Sequence, residues 1–362
     1  MTEKEAYIAF NMTENIGSVG VSDLVGEGGS VAAAWEAYPA KTARSGGVVD
    51  VALELKKAAK YGVEIVTPAD EKYPKRLLER PGYPLALYVK GDVDALSLPS
   101  VAMVGTRRAT PYGLDRAFIM AEDLAASGMA VVSGLALGVD AESHKGALAA
   151  GGRTVGVIGS ALDEFYPEEN RLLAREIVEK GGAVASEFPF GRRPDQKTFP
   201  QRNRIVAALS RGVVVVESPL SGGSLITADA AADMGITVMA VPGRVDSRSS
   251  AGCLKLIRDG AKLVRDARDV LEEIGGLFPE IPVPAPKKRA RRAPSGARSA
   301  AAMTAEEALL MKHVDAEGVG IDELVRLTGL GAAQVNATAM TLRIKGLVRF
   351  FPGNRIALPR GD

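Results

Sequence analysis

The 362-residue chain has a single cysteine, Cys253, which excludes an internal disulfide framework and an all-cysteine metal site and fits a reducing compartment. Histidine is nearly as scarce. His144 and His313 are the only two, far apart in sequence, so a histidine-rich metal centre or a Ser-His-Asp triad has little material. No apolar run approaches the roughly 18 residues that span a bilayer, and the opening Thr2-Glu3-Lys4-Glu5 is not a basic-then-apolar leader. A cytoplasmic protein without membrane or metal partners is expected. Excess charge of one sign is also missing: the formal balance is +1, so any claim for an acidic partner must rest on where the cations sit.

What is present is ordinary globular material, 46% hydrophobic and 25% charged, in a chain long enough for one large domain and one or two small ones. Residues 3–60 read as short helices separated by glycine turns, giving a small helical domain over 1–66. Within it, Asn15-Ile-Gly-Ser-Val-Gly-Val resembles the hairpin of a helix-hairpin-helix unit, whose amides approach DNA phosphate. An ordinary tight turn fits the same residues. Residues 61–99 carry repeated prolines and read as extended connecting structure.

From Val101, apolar runs alternate with helical patterns: VAMVG, MAVVS, TVGVIG, GAVASE, VVVVE, ITVMAV and AKLV. Runs apolar on both faces are the mark of a parallel sheet covered by helices, so residues 67–275 are expected to form an α/β, Rossmann-like doubly wound domain. Residues 276–302 change to proline with a basic cluster, Lys287 to Arg292, and read as a solvated linker. Residues 303–362 give three helical patterns, then VRFF and RIAL around Pro352-Gly353-Asn354, which spells a winged helix.

The informative pattern is where glycine and serine fall. Gly105-Thr106-Arg107, Ser133-Gly134, Gly159-Ser160, Ser221 to Thr227 and Pro242-Gly243 each follow a strand directly, so all converge on the carboxyl edge of the sheet. Ligands bind at that edge, and small residues there expose amides at helix N-termini that favour anions. Arg107, Arg202 and Arg204 add guanidinium groups spaced for repeated phosphates, with Lys197 and Asn203 beside them. An internal salt bridge from Arg202 or Arg204 to Glu187, Asp195 or Glu217 is the competing reading. Asp140 and His144, four apart on a helix, are read as a cap and a packed side chain, and Cys253 as structural.

Two nucleotide motifs fail. The stretch from Gly191 to Thr198 has Walker A spacing, but Gln196 replaces the required glycine and Phe199-Pro200 is expected to interrupt the helix that should follow directly. No GxGxxG turn with an acidic residue about twenty positions on is present, so no dinucleotide cofactor is expected.

The text TPADEKYPKRL, YPLALYVKGD, VGTRRAT, SGLALGVDAESHKGAL, GSALDEFYPEEN, SEFPFG, FPQRNRIVAALS, SGGSLIT, AVPG and LIRDGA, in this order from Thr67 to Ala261, resembles the DNA-processing protein A (DprA, or Smf) family. The resemblance implies a non-enzymatic recombination mediator that binds and protects incoming single-stranded DNA and loads RecA recombinase during natural transformation. It implies a homodimer through the Rossmann-like domain and an N-terminal unit of SAM or helix-hairpin-helix type. The family's DNA-contacting motifs fall on Gly105, Thr106, Arg107, Ser133, Gly134, Phe199, Pro200, Arg202, Asn203 and Arg204; the residues above add Lys197, Ser221, Gly223, Ser224 and Thr227. Leu137 and Leu254 stand where the family often has arginine and a polar residue. A phosphoribohydrolase-type enzyme is the alternative, but Ser221-Gly-Gly-Ser-Leu-Ile-Thr227 lacks that family's Gly-Thr pair and catalytic glutamate.

Overall fold

The computed structural model describes residues 1–38, 48–275, 303–315, 318–351 and 353–358. Two compact units emerge, residues 1–107 with 117–283 and residues 108–116 with 284–362. The basic linker cluster lies outside the described residues.

The first unit opens with four helices. Helix α1 (Glu3–Met12) starts from a reciprocal Thr2–Glu5 capping box, α2 (Ser18–Gly28) from Gly17, α3 (Val31–Ala37) from the Ser30 hydroxyl, and α4 (Val51–Tyr61) from the Asp50 carboxylate. Phe10 meets Trp35 edge to face at 5.0 Å at the centre of this layer. On its other side α1 sends Ile8 and Met12 into a cluster with Ala58, Tyr88 and Phe190, so the helices share a core with the sheet.

The sheet follows. Its elements are β1 (Glu64–Val66), α5 (Lys75–Leu78), β2 (Leu87–Gly91), β3 (Ser100–Val104), α6 (Pro111–Ala126), β4 (Ala130–Ser133) and α7 (Val139–Ala149). Then come β5 (Thr154–Val157), α8 (Arg171–Glu179), β6 (Ala183–Ser186), α9 (Thr198–Ala208), β7 (Gly212–Val215), α10 (Gly223–Asp233), β8 (Thr237–Ala240), α11 (Ala251–Arg258), β9 (Lys262–Leu263) and α12 (Ala267–Gly275). The order across the sheet is β1-β2-β6-β5-β4-β3-β7-β8-β9. Strands β3 to β9 pair in parallel and correspond to the seven apolar runs of the sequence; β3 to β7 are buried along their whole length, β8 in part, and the edge strand β9 is exposed.

One expectation is corrected. Residues 61–99 are not mere connection: β1 and β2 extend the sheet antiparallel beyond β6, with Tyr88 opposite Ser186. The chain reverses its direction of travel across the sheet between β3 and β7, and this switch point is where an open α/β sheet leaves a crevice at its carboxyl edge.

The second unit contains α13 (Ala305–Met311), β10 (Val319–Gly320), α14 (Ile321–Thr328), α15 (Ala332–Ile344), β11 (Arg349–Phe351) and β12 (Arg355–Ala357). Three helices pack Leu310, Leu324, Val335 and Leu342 against Ile356 of a three-stranded sheet ordered β10-β12-β11, which is a winged helix. Gly329 at φ 70° turns α14 into α15, and Gly353 and Asn354, at φ 83° and 57°, turn β11 into β12.

Glu54 of α4 is buried, and its carboxylate accepts the Phe190 amide at 2.8 Å, tying the helical layer to the sheet. Burial pushes its carboxyl above the usual range, against the Phe190 and Tyr88 hydrogen bonds. A raised folded value stabilises at low pH and loses that contribution as pH rises through it. Glu54→Gln keeps an acceptor for Phe190 without the charge. Its melting temperature should therefore fall less than that of the parent between about pH 5 and about pH 8, read by thermal denaturation.

Candidate functional site

The loops after β3, β4 and β7 meet at the switch point because glycine lets them. The Thr106 amide donates to the Glu217 carbonyl at 2.8 Å, and a Cβ on Gly105 would stand 2.8 Å from that same oxygen and 2.5 Å from Val139. The next turn, residues 133–138, is held from every side. Ser133 Oγ donates to the Met103 carbonyl at 2.6 Å, Asn170 Nδ2 donates to the Leu135 carbonyl at 2.8 Å, and the Asp140 carboxylate accepts the Gly134 and Ala136 amides at 3.1 and 3.4 Å.

Arg202 completes this arrangement from inside. It is 4% exposed, and its guanidinium donates to the carbonyls of Gly134 and Val157, at the ends of β4 and β5. Burial lowers its pKa to about 10, opposed by Asp140, so it remains charged at neutral pH. The structure thus places Ser133, Gly134 and Arg202 differently from the sequence expectation. Their polar groups are turned inward: Ser133 on the Met103 carbonyl, Arg202 on the Gly134 carbonyl, and the Gly134 amide, expected to meet an external anion, on the Asp140 carboxylate. His144, four residues on, is fully buried against the Thr154 hydroxyl at 2.7 Å; burial drops it to about 3 and it stays neutral.

Other predicted residues do face solvent. Arg107 is exposed, with its guanidinium 4.9 Å from the centroid of the Phe199 ring. Tyr166, which sequence reasoning missed, lies 6.0 Å from Phe199, and Leu137 and Gly159 line a small pocket with them. Lys197 and Ser221 are exposed, as is Gly223, which starts α10 after Gly222 without a side-chain cap. Asn203 Nδ2 reaches the Gly223 carbonyl at 3.4 Å. Ser224 and Thr227 are buried, Ser224 bonded to Ser218 at 2.9 Å. Arg204 forms an ion pair with Glu187, one of the internal partners foreseen for it, while keeping 28% of its side chain exposed.

The Walker-like stretch also has a physical account. Asp195 Oδ1 accepts the Lys197 and Thr198 amides at 2.7 and 2.9 Å, so the N-terminus of α9 carries its own anion. Contrary to the sequence reading, Phe199-Pro200 does not interrupt the helix. Pro200 sits in the first turn of α9, where its missing N–H costs nothing.

On the winged helix, Lys345 pairs with Glu307 at 2.7 Å and Arg343 lies over Phe350 at 5.4 Å. Both cations at the C-terminal end of α15, Arg343 and Lys345, are thus engaged within the unit. Among the described residues no group of acids, histidines and cysteine has metal-site geometry, and no helix is long and apolar enough to cross a membrane.

Residues 64–275 match the family model for DNA recombination-mediator protein A, and residues 293–354 match the DprA winged helix domain. Protein Smf of Synechocystis is 31% identical over 98% of both chains. The chain belongs to the DNA recombination-mediator protein A family. A role in DNA processing and recombination comes with that membership. The crystal structure of the DprA protein of Streptococcus pneumoniae superposes with a TM-score of 0.62 at 32% identity, covering 75% of this chain and 98% of that one. The DprA protein of Helicobacter pylori, whose structure is described for its single-stranded DNA binding mode, gives 0.53 at 31% identity over 60% of this chain and 98% of its own.

The burial of Arg202 yields a test of scaffold against contact. Arg202→Ala leaves the buried Gly134 and Val157 carbonyls without their donor and Asp140 without its nearby cation, and should lower unfolding free energy by about 2–6 kcal/mol. Arg202→Ala with Asp140→Asn should recover part of that. Arg107→Ala should change stability by less than about 0.5 kcal/mol. Urea denaturation of the three variants checks this ranking.

Proposed function

We propose that this family member binds single-stranded DNA along the carboxyl edge of its sheet and delivers it to a RecA-type recombinase, acting by binding rather than by catalysis. The observation that carries the reading is the pairing of cation and ring at the edge, Arg107 over Phe199 with Tyr166 within 6.0 Å of that ring; the exposed Lys197 before α9 and the uncapped start of α10 add further positive groups to the same unit. Rings take stacked bases of any sequence, while guanidinium, ammonium and helix amides take phosphates. Leu137, where the family often has arginine, puts an apolar wall beside Phe199 and suits a base face.

The same geometry supports binding over chemistry. Asp140 is consumed by backbone amides, and His144 is buried and neutral, so neither offers a proton to an external substrate. The single-strand binding mode ascribed to the Helicobacter protein, which shares this fold at 31% identity, points the same way. Recombinase delivery and a homodimer built through the Rossmann-like domain follow from the family resemblance and are part of this proposal.

Titration of the full chain with single- and double-stranded oligonucleotides across salt concentrations, with mass measured by light scattering, tests it. Arg107→Ala and Lys197→Ala should each weaken single-strand binding for all sequences and flatten the salt dependence by about 0.7 per lost phosphate contact. Phe199→Ala should lose about 1–3 kcal/mol with little change in that slope. A preference for duplex, or unchanged binding in all three variants at low salt, refutes the assignment.

A further inference from the structure

Helix α9 stands between two depressions. Phe199 and Arg202 belong to the small pocket at the sheet edge, whereas Lys197, Gln201 and Arg204, spaced four and three residues apart, look onto a separate cleft of about 710 Å³. The opposite wall of that cleft is the turn from α1 into α2, residues 14–20, in which Asn15 takes φ 57° and Gly17 precedes the helix. The two walls are fixed to each other by Asn11 of α1, whose amide donates to the Glu187 carbonyl at 2.9 Å.

Two independent features of the hairpin wall call for an anion. Gly17 offers no side-chain acceptor to the first turn of the eleven-residue α2, so its amides and the positive helix end meet the cleft directly. Ser18, which lines the cleft, is only 3% exposed, and its hydroxyl has no hydrogen-bond partner. A buried donor of this kind is normally satisfied, and an oxygen of a ligand would satisfy it. Across from it stand three cations, Lys197 together with Arg192 and Arg204, which are paired to Asp195 and Glu187; Glu14 adds a carboxylate on the hairpin wall itself.

We propose that this cleft holds a backbone phosphate of the DNA strand as it leaves the sheet edge across the start of α9, seated on the α2 N-terminus and the Ser18 hydroxyl and faced by Lys197 and Arg204. The inference rests on the single-strand reading of the edge and extends it to the helical layer. The hairpin thereby becomes a second clamp on the same polymer. Its effect must grow with strand length, because a short strand held at the edge does not reach it.

Val19 is 58% exposed at the mouth of the cleft, so its substitution leaves the fold alone. The experiment measures binding of oligothymidylates of increasing length to the full-chain protein, Val19→Glu, Val19→Lys and Arg107→Ala, with circular-dichroism melts confirming folding. Val19→Glu is expected to weaken binding several-fold, with a loss that grows with length and a salt dependence flatter by about 0.7 for one phosphate. Val19→Lys should strengthen it in the same length-dependent way. Arg107→Ala reports on the edge itself: if it alone weakens binding at every length, the edge reading stands and the hairpin clamp is overturned. Thermal stabilisation by inorganic phosphate or thymidine monophosphate that the Val19 variants alter, with oligothymidylate binding unaltered, assigns the cleft to a free anion and also overturns the strand path.

Discussion

The carboxyl edge depends on one buried guanidinium. Arg202 enters from α9 beneath the ends of β4 and β5 and binds the Gly134 and Val157 carbonyls, while Asp140 lies near enough to favour its charge. Without it, two strand-end carbonyls would point into a desolvated space, and the buried Asp140 would have no compensating cation. Gly134 makes room for it, since a Cβ there would stand within 2.6 Å of the guanidinium carbon and displace it. The same turn keeps Leu135 at φ 52°, a left-handed conformation that costs an ordinary residue about 1–2 kcal/mol. Such a conformation persists only where surrounding contacts over-determine it, and here Asn170, Asp140 and Arg202 do so.

A rigid edge explains how recognition can be electrostatic without a charged protein. With a net charge of +1, the chain gains nothing at long range from its overall balance. Attraction is local instead. The interior arginine fixes α9 against β4 and β5, and α9 in turn holds Phe199 within 4.9 Å of Arg107, with Lys197 exposed at its N-cap. Under the single-strand binding proposed above, cations and rings ordered in advance would lose little entropy when a flexible strand settles on them.

The parallel strands were legible because burial on both faces writes itself as unbroken apolar runs such as VVVV. β1 and β2 were not, because three to five residues flanked by prolines read equally well as connection. At the site, Arg107 and Lys197 were visible as cations in turns after strands. The division between Arg202 and Arg204 was harder. Two residues apart on a helix they point about 200° apart, so one must face inward, and type alone does not say which. The available signal was register: Ile205, Val206 and Leu209 form the apolar stripe of α9, and Arg202 lies three and four residues before the first two. Tyr166 had no such signal, because its place beside Phe199 is set by the loop after β5 rather than by any periodicity.

The same register argument separates the two faces of α9 functionally. A helix with one arginine buried for structure and another half-exposed beside a carboxylate cannot be treated as a uniform basic surface. The Arg204–Glu187 pair holds the arginine's position and dilutes its charge at once, whereas Lys197, at the helix cap, is anchored by its backbone amide on Asp195 and exposes its side chain. Affinity for a polyanion should therefore be concentrated in Arg107 and Lys197, with Arg204 contributing geometry as much as attraction. The carboxylate that positions Arg204 is as much a part of the site as the arginine, since it decides how far that cation meets a ligand and how far it meets the protein.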